Sequence, residues 1–392
     1  MQSRAALLTV LVPALAWAAP ERAPVLVGLD LEFGHRTSTS AVAIREGALI
    51  AAEEINAAGG VLGGRPLRIV ERDNRSVPAR GVEDLRELAA MPDLVAVVGG
   101  KFSPVFLEQL PVAAELGVPL LDAWAAADAI VDAPATRRWS FRLSLRDDWA
   151  IAALLEHLGH DGVRHVGLLL PNSDWGRGCE HDAIARARAG GPVAVAVATR
   201  WYNFGDRSFG EHYAALRAAG ADAVLIVMNE GEGAAFVKEV AALPRPERLP
   251  IASHWGILGG DFPALSGPAL HEVDLVVADT FEFAGARGAT AARVAAAARR
   301  LFGEGDLARV SSGAGLAQAY DLVHLLARAV ERAGGTDRRR VRAALEQVSG
   351  YRGLVRDYAR AFTPERHEAL APSDVHLARF DARGALVRVR AR

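Results

Sequence analysis

Residues 54–67 read EINAAGGVLGGRPL, and residues 71–73 follow as ERD. The stretch closes an amphipathic helix, predicted at residues 41–58, whose apolar residues share one face. These residues are Ile44, Ala48, Ala51 and Ile55. Two glycines then stop the helix, because glycine favours the left-handed backbone that closes a helix end. A strand is predicted at residues 67–71, so the unit is helix, turn and strand.

The same alternation of short apolar strands and longer helices runs along the whole chain. Further strands are predicted at residues 25–31, 94–98, 118–121, 139–143, 165–170, 193–199, 223–228, 249–253 and 275–278. Further helices are predicted at residues 81–90, 104–116, 149–158, 179–189, 209–219, 232–243, 290–302, 315–333 and 337–348. This rhythm, which restarts after Arg146, predicts an α/β fold with two doubly wound parallel-sheet lobes. Ligands of such sheets bind beyond the carboxyl ends of the strands.

Composition excludes several functional classes. The 392 residues carry 45 basic and 47 acidic side chains, a formal charge of −2, which predicts no nucleic-acid partner. The single cysteine, Cys179, excludes an intramolecular disulfide and a cysteine-cluster metal site. His157 with His160, and Cys179 with His181, lack a third ligand at a recognisable spacing, so no metal is predicted. Neither a nucleophile elbow, a zinc-protease motif nor a P-loop is present, and no cofactor is predicted.

The amino terminus predicts the compartment. Residues 1–18 carry one positive charge, Arg4, followed by an apolar run that ends in Ala16-Trp17-Ala18. A charged start, a short apolar core and small residues at the cut are typical of a cleavable secretory signal peptide. The alternative is an uncleaved anchor, although the run is short for crossing a bilayer. The mature chain is therefore expected in the periplasm and free of the membrane.

The segment Gly100-Lys101-Phe102-Ser103-Pro104 lies between a predicted strand and a predicted helix. Ser103 suits an N-cap position, and Pro104 suits the first helical position. Free backbone N–H groups at such a helix start, together with the serine hydroxyl, would bind a carboxylate. The alternative is a plain helix cap without a ligand.

Three of the seven tryptophans fall on loops predicted at the carboxyl ends of strands: Trp124, Trp175 and Trp255. Large flat side chains there predict a planar, apolar or cationic ligand that is held by stacking or cation–π contact. The alternative for each is a cover over the hydrophobic core. Three tryptophans on such loops together favour a ligand pocket over three separate covers of the core.

These motifs resemble one known family, the solute-binding proteins of branched-chain-amino-acid-type ABC importers. Residues 54–67 and 71–73 resemble that family's first helix, turn and second strand, and residues 174–178, 206–209 and 220–224 match further motifs in order. The resemblance implies a type I periplasmic binding protein with two lobes joined by three hinge crossings, near Leu143, Asp279 and Tyr351. Residues 24–143 and 280–351 would form the first lobe, and residues 144–279 and 352–392 the second.

The resemblance also implies roles for residues in the first lobe. Ser103, beside Phe102, matches a position that holds the ligand carboxylate. Ala125 and Ala126, next to Trp124, match a stretch whose serine or threonine normally binds carboxylate or amine, but neither carries a hydroxyl.

Second-lobe positions complete the implied pocket. Trp175 matches an aromatic residue that covers the ligand. Trp255, or His254 by a shift of one residue, falls where amino-acid binders carry an acidic group for the ammonium. Asn229 and Glu230 match another pocket position, where Glu230 would supply the missing charge. An amide, an aromatic carboxylate or a quaternary ammonium therefore fits better than an α-amino acid.

The sequence thus predicts a periplasmic solute-binding protein, not an enzyme, that delivers a small organic solute to an ABC permease. The solute is expected to be amino-acid-like, an amide or an aromatic carboxylate. One alternative is a ligand-sensing subunit for a membrane kinase, which neighbouring genes would distinguish. The other is an enzyme of similar α/β architecture, which a turnover assay would distinguish.

Overall fold

A computed structural model of the chain describes residues 22–34, 39–132, 137–191, 194–310 and 312–389. The predicted signal peptide at residues 1–18 lies outside these ranges. Within them, no helix combines the length and the apolar character needed to cross a membrane.

The first sheet has five parallel strands in the order β2-β1-β3-β4-β5. They are β1 (Val25–Leu31), β2 (Leu67–Asp73), β3 (Leu94–Gly99), β4 (Leu120–Asp122) and β5 (Ser140–Arg142). The connecting helices are α1 (Ser40–Ala57), α2 (Pro78–Ala89), α3 (Ser103–Leu116) and α4 (Ala129–Asp132). Every residue of β3 is buried, as expected for a strand covered by helices on both faces.

The second sheet has seven strands, in the spatial order β14 (Leu386–Arg388), β13 (His376–Phe380), β10, β9, β8, β6 and β7. Its parallel strands are β6 (His165–Pro171), β7 (Val195–Tyr202), β8 (Ala223–Ile226), β9 (Ile251–Ser253) and β10 (Leu275–Asp279). The helices of this region are α5 (Asp147–His160), α6 (Asp174–Arg188), α7 (Gly210–Ala218), α8 (Glu230–Ala241) and α9 (Phe262–Ser266).

The chain then returns to the first lobe. It adds α10 (Ala289–Phe302), α11 (Gly313–Ala333), α12 (Arg338–Leu345) and the antiparallel hairpin β11 (Ser349–Arg352) with β12 (Asp357–Arg360). Helix α11 packs along α1. Its Asp321 accepts hydrogen bonds from the hydroxyls of Tyr351 at 3.0 Å and Tyr358 at 2.9 Å, which fix the hairpin against the helix. Burial raises the pKa of Asp321 to about 6, although these hydroxyls and two backbone N–H groups lower it.

The segment after the hairpin stays with the first sheet before it crosses. The backbone N–H of Arg142 in β5 donates to His367 at 2.8 Å, and Ala369 donates back to Arg142 at 2.9 Å. The buried Arg142 guanidinium also pairs with Glu368. This pairing holds residues 367–369 at β5, and the third crossing near Tyr351 stays a prediction. The other lobe boundaries stay predictions.

The last two strands, β13 (His376–Phe380) and β14 (Leu386–Arg388), join the edge of the second sheet antiparallel. The sequence analysis did not predict them. The fold it did predict, two α/β lobes with parallel sheets, is confirmed.

Candidate functional site

A cavity of about 580 Å³ lies between the two lobes, at the carboxyl ends of strands from both sheets. Both lobes contribute to its wall. Nine of the ten predicted site residues line it: Phe102, Ser103, Trp124, Ala125, Ala126, Trp175, Asn229, His254 and Trp255. Their part in ligand binding stays a prediction.

The first-lobe wall is shaped by the turn that follows β4. Asp122 Oδ1 accepts the backbone N–H groups of Trp124 at 3.0 Å and Ala125 at 2.8 Å, which turns the chain sharply into the cleft. Burial raises the pKa of Asp122 to about 8, although Arg142 and the two N–H groups oppose this shift. Behind the indole, a Cβ on Gly315 would lie 3.0 Å from Trp124 Cε3, so glycine lets α11 approach closely.

Two pairs of aromatic rings connect the lobes. Trp124 stacks on Trp255 with ring centroids 4.5 Å apart and an angle of 14° between the planes. Both are buried, with 4% and 1% of their surface exposed. Phe102 meets Phe204 edge to face, at 6.3 Å between centroids. These contacts hold the lobes together over the cavity.

Hydrogen bonds cross the cleft beside the rings. The backbone N–H of Thr39 donates to the carbonyl of Gly259 at 3.0 Å. The Ser312 hydroxyl donates to the carbonyl of Leu258 at 2.7 Å, and its oxygen lies 3.1 Å from Thr39 Oγ1. Because α1 and α11 belong to one lobe and residues 255–259 to the other, these bonds form only when the lobes meet.

Trp175 lies in the first turn of α6, not in the loop that the sequence analysis predicted. The helix begins five residues earlier than expected because Ser173 accepts the Gly176 N–H and caps it. The indole Nε1 donates to Asp147 Oδ1 at 3.2 Å. The Trp175 ring also meets His254 edge to face, at 5.4 Å between centroids.

His254 also faces the carboxylate of Asp147. Its Nε2 lies 2.9 Å from Asp147 Oδ1, and its Nδ1 accepts the Gly256 N–H at 3.2 Å. A ring nitrogen that accepts a hydrogen bond carries no proton, so His254 is the neutral tautomer protonated on Nε2. A Cβ at Gly256 would lie 2.8 Å from Trp175 Cη2, so the close approach of these segments requires glycine there.

Ser103 does not cap α3 as predicted. Phe102 occupies the N-cap position, Ser103 is the first helical residue, and no side chain makes a cap hydrogen bond. The helix starts one residue early, with Pro104 in its first turn. The Ser103 side chain instead lines the cavity, and a role in holding a carboxylate stays a prediction.

Glu230 is the one predicted site residue outside the set that lines the cavity. It begins α8 and is 6% exposed. A Cβ at Gly259 would lie 3.2 Å from Glu230 Oε2 and 3.4 Å from Lys101 Nζ, so both groups approach this glycine. Lys101 also pairs with Glu32 at 3.1 Å. Glu230 therefore approaches the Lys101–Glu32 ion pair of the opposite lobe.

Three aspartates that the sequence analysis did not single out also line the cavity: Asp128, Asp147 and Asp182. Burial raises the pKa of Asp128 to about 8; Arg146 lowers it, and Asp147, Asp148 and Asp182 raise it. Burial likewise raises the pKa of Asp182 to about 6. The signal for Asp182 was present, because Trp175, Gly178 and Asp182 follow i, i+3, i+7 spacing on one helix face.

A separate cluster brings together Asp279, Glu282 and His376, whose ligand atoms lie within 4.8 Å of one another. Glu282 Oε2 lies 2.6 Å from His376 Nε2, and Arg388 lies 2.5 Å from His376 Nδ1. The close contact of Glu282 with His376, together with the Glu282–Arg388 ion pair at 3.6 Å, therefore accounts for two of the three members.

Comparison with known proteins identifies the family to which this fold belongs. The periplasmic binding protein family matches residues 25–385. No curated protein matches significantly. The chain is similar to a type 1 periplasmic binding protein from Bordetella pertussis Tohama I, with 21% identity, a TM-score of 0.83, and coverage of 94% of this chain and 100% of that one.

Two further structures were solved with ligands. The chain is 20% identical to the branched-chain amino acid transporter substrate-binding protein LivJ from Streptococcus pneumoniae in complex with isoleucine, with a TM-score of 0.77 and coverage of 93% and 100%. It is 18% identical to an ABC transporter solute-binding protein from R. palustris in complex with benzoate, with a TM-score of 0.76 and coverage of 93% and 95%. At these identities the likeness shows a shared fold. The chain belongs to the periplasmic binding protein family and has the type I fold of the branched-chain-amino-acid-type substrate-binding proteins.

Proposed function

We propose that this protein is the solute-binding component of an ABC importer and captures a small organic solute between its lobes. The observation that carries the proposal is the cavity of about 580 Å³ whose wall comes from both lobes. That volume lies within the usual range for small-molecule sites. The family membership and the solved relatives with isoleucine or benzoate support the same function.

Both lobes contribute residues to the cavity wall, and this division explains how a solute would be captured. Phe102, Ser103 and Trp124 belong to one lobe, whereas Trp175 and Trp255 belong to the other. A solute touches all of them only when the lobes close, so binding shifts the population toward the closed form. The Trp124–Trp255 stack and the hydrogen bonds at residues 258 and 259 would stabilise that form.

The remaining roles are proposals of the same kind. Ser103 and Asn229 supply polar contacts, Ala125 and Ala126 keep the wall narrow, and His254 orients Asp147. The predicted signal peptide would deliver the chain to the periplasm, where the closed form would dock on the permease. The solute leaves unchanged, because transport needs no bond to be made or broken.

A screen tests the function. Purified mature protein is heated with a library of small solutes, and a bound solute raises the melting temperature. Isothermal titration then gives the stoichiometry, and mass spectrometry identifies the released solute. We expect one unchanged solute per chain. A chemically altered solute would point to an enzyme, and the absence of any binding solute would refute the receptor.

Matched variants locate the binding site. Trp175→Ala removes an indole from the cavity wall, whereas Trp201→Ala removes one from β7, outside the cavity. We expect only the first to weaken binding of the identified solute. Equal affinity in both variants would place the site elsewhere. Loss of cellular uptake of that solute on deletion of the gene would support the importer role over the sensor.

A further inference from the structure

The cleft contains a carboxylate that the protein leaves only half satisfied. The Asp147 side chain is 5% exposed, and its Oδ1 receives the Trp175 N–H and faces His254 Nε2. Its Oδ2 takes no hydrogen bond from the described part of the chain. His254 is held as the neutral tautomer, so it does not cancel the charge. A carboxylate that is almost removed from water is costly to keep charged without donors or a cation beside it, so this wall of the cavity favours one or the other.

Two more carboxylates surround the same part of the cavity. Asp182 Oδ2 is buried and has no hydrogen-bond partner among the described residues. Asp128 lies close enough to Asp147 and Asp182 for their charges to raise its pKa. Such mutual repulsion persists in the empty site and falls when a positive charge enters between the carboxylates.

The basic groups nearby are already engaged. Arg146 pairs with four carboxylates, at 3.2, 3.0, 3.0 and 3.5 Å: Asp128, Asp132, Asp148 and Glu368. Lys101, the basic residue that lines the cavity, pairs with Glu32 and faces Glu230 at Gly259. Arg146 thus already offsets part of the charge of Asp128. No ion pair joins Arg146 or Lys101 to Asp147 or Asp182 among the described residues, and the existing pairs leave neither group free to receive a ligand carboxylate.

Aromatic rings complete the environment. Phe102, Trp124, Trp175, Phe204 and Trp255 line the cavity that holds the three aspartates. Aromatic rings attract organic cations through their negative faces, and the effect grows when the cation is removed from water. An anion would face both the carboxylates and these faces.

We propose that the solute captured in this cleft is an organic cation, whose ammonium group sits among Asp128, Asp147 and Asp182 beside the Trp175 indole. This inference rests on the proposed solute-receptor function and narrows its ligand class. Among the ligand classes that the sequence allowed, it selects the cation over the aromatic carboxylate and the amide, because Asp128, Asp147 and Asp182 line the cavity whereas Glu230 does not.

The test is a binding screen balanced by charge. The library holds equal numbers of cations, zwitterions, neutral solutes and anions, and it includes the matched set 2-phenylethylamine, phenylalanine, 2-phenylethanol and phenylacetate. We expect the solutes that raise the melting temperature most to be cations, and each to bind roughly tenfold or more tightly than its neutral isostere. Strongest binding by anions or neutral solutes would overturn the charge assignment and leave the receptor function standing. Binding by no class would refute the receptor function itself.

Variants connect the selectivity to the named residues. Asp147→Asn and Asp182→Asn each remove one cavity charge, whereas Asp357→Asn removes one from the exposed face of β12. We expect the first two to weaken the best cation roughly tenfold and to narrow its advantage over the neutral isostere. Asp357→Asn should change neither. If Asp147→Asn fails to fold, Asp182→Asn decides, and full retention of selectivity in Asp182→Asn would overturn the proposal.

Discussion

The indole of Trp124 lies on that of Trp255, with ring centroids 4.5 Å apart and planes 14° apart. One ring follows β4 of the first sheet and the other follows β9 of the second. Each ring would lose its partner and become hydrated when the lobes separate. The stack therefore ties closure of the cleft to the burial of two large apolar surfaces.

Replacing Trp124 with Leu should shift the protein toward its open form. A stacked aromatic pair contributes about 0.5–1.5 kcal/mol beyond its buried area, so affinity for the solute should fall roughly threefold to tenfold. Titration calorimetry measures the affinity, and small-angle scattering measures the radius of gyration. Trp201→Leu removes a ring that lies in the second lobe, and this control should leave both the affinity and the radius of gyration unchanged. Unchanged affinity in Trp124→Leu would show that the stacked rings do not contribute to closure of the cleft.

Ser312→Ala removes the hydroxyl that donates to Leu258 across the cleft at 2.7 Å. The loss of one buried hydrogen bond costs about 1 kcal/mol, so the solute should bind roughly fivefold more weakly. Ser349→Ala, at an exposed position of β11, provides the control. If the solute dissociates faster from Ser312→Ala alone, this hydrogen bond slows the opening of the lobes. Identical dissociation rates in both variants would exclude that role.

Cation binding should strengthen as the pH rises from about 5.5 to about 8.5. Burial raises the pKa of Asp182 to about 6 and of Asp128 to about 8, so both carboxyls lose protons across this window. A bound cation favours the ionised carboxylates, so binding should release protons. The charges that face these two groups are Arg146, Asp147, Asp148 and His181. Calorimetry in buffers of different ionisation enthalpy measures the proton release, and proton uptake would contradict the account.

Asp128→Asn should stabilise the solute-free protein above neutral pH. The raised pKa means that the folded state binds more protons than the unfolded state, so this group lowers stability as the pH rises from about 4 toward about 8. The neutral amide removes that cost. The gain in melting temperature should therefore be larger at pH 8 than at pH 5. A gain in melting temperature that becomes smaller as the pH rises would contradict this prediction.

Cys179 should react slowly in the folded protein. Only 1% of its surface is exposed, and burial, followed by the charges of Asp147, Asp182 and Asp128, raises its pKa well above the ordinary value. A buried neutral thiol is a poor nucleophile. A colorimetric thiol reagent at pH 8 should modify the unfolded chain promptly and the native chain much more slowly. Equal rates would show that this part of α6 opens readily.

The fold was predictable because its signal is local. The apolar run of β1 and the single apolar face of α1 are visible in consecutive residues, and the glycine turn after α1 marks the boundary. The C-terminal strands escaped prediction because both are short, β13 is mostly half-buried and two of the three residues of β14 are exposed, so neither shows a clear alternation of buried and exposed residues.

The site was predictable only in part. The aromatic residues follow strand ends, so their convergence could be inferred from topology. The cluster of acidic residues could not be inferred. Asp128 precedes α4, Asp147 begins α5 after the crossing predicted near Leu143, and Asp182 lies within α6. Their proximity depends on how the lobes meet. Asp182 would have been found if Ser173 had been read as the cap of α6.

Small-angle scattering shows whether a bound cation closes the cleft. The radius of gyration of the mature protein is determined by small-angle scattering, first alone and then with a saturating amount of the cation identified by the screen. At a cation concentration about tenfold above the dissociation constant of the unmodified protein, we expect a nearly full decrease in radius. The neutral isostere at that concentration, and the cation with Asp182→Asn, should each give about half of that decrease or less, because each binds roughly tenfold more weakly. An identical radius with and without bound cation, or equal contraction by the neutral isostere, would contradict this account.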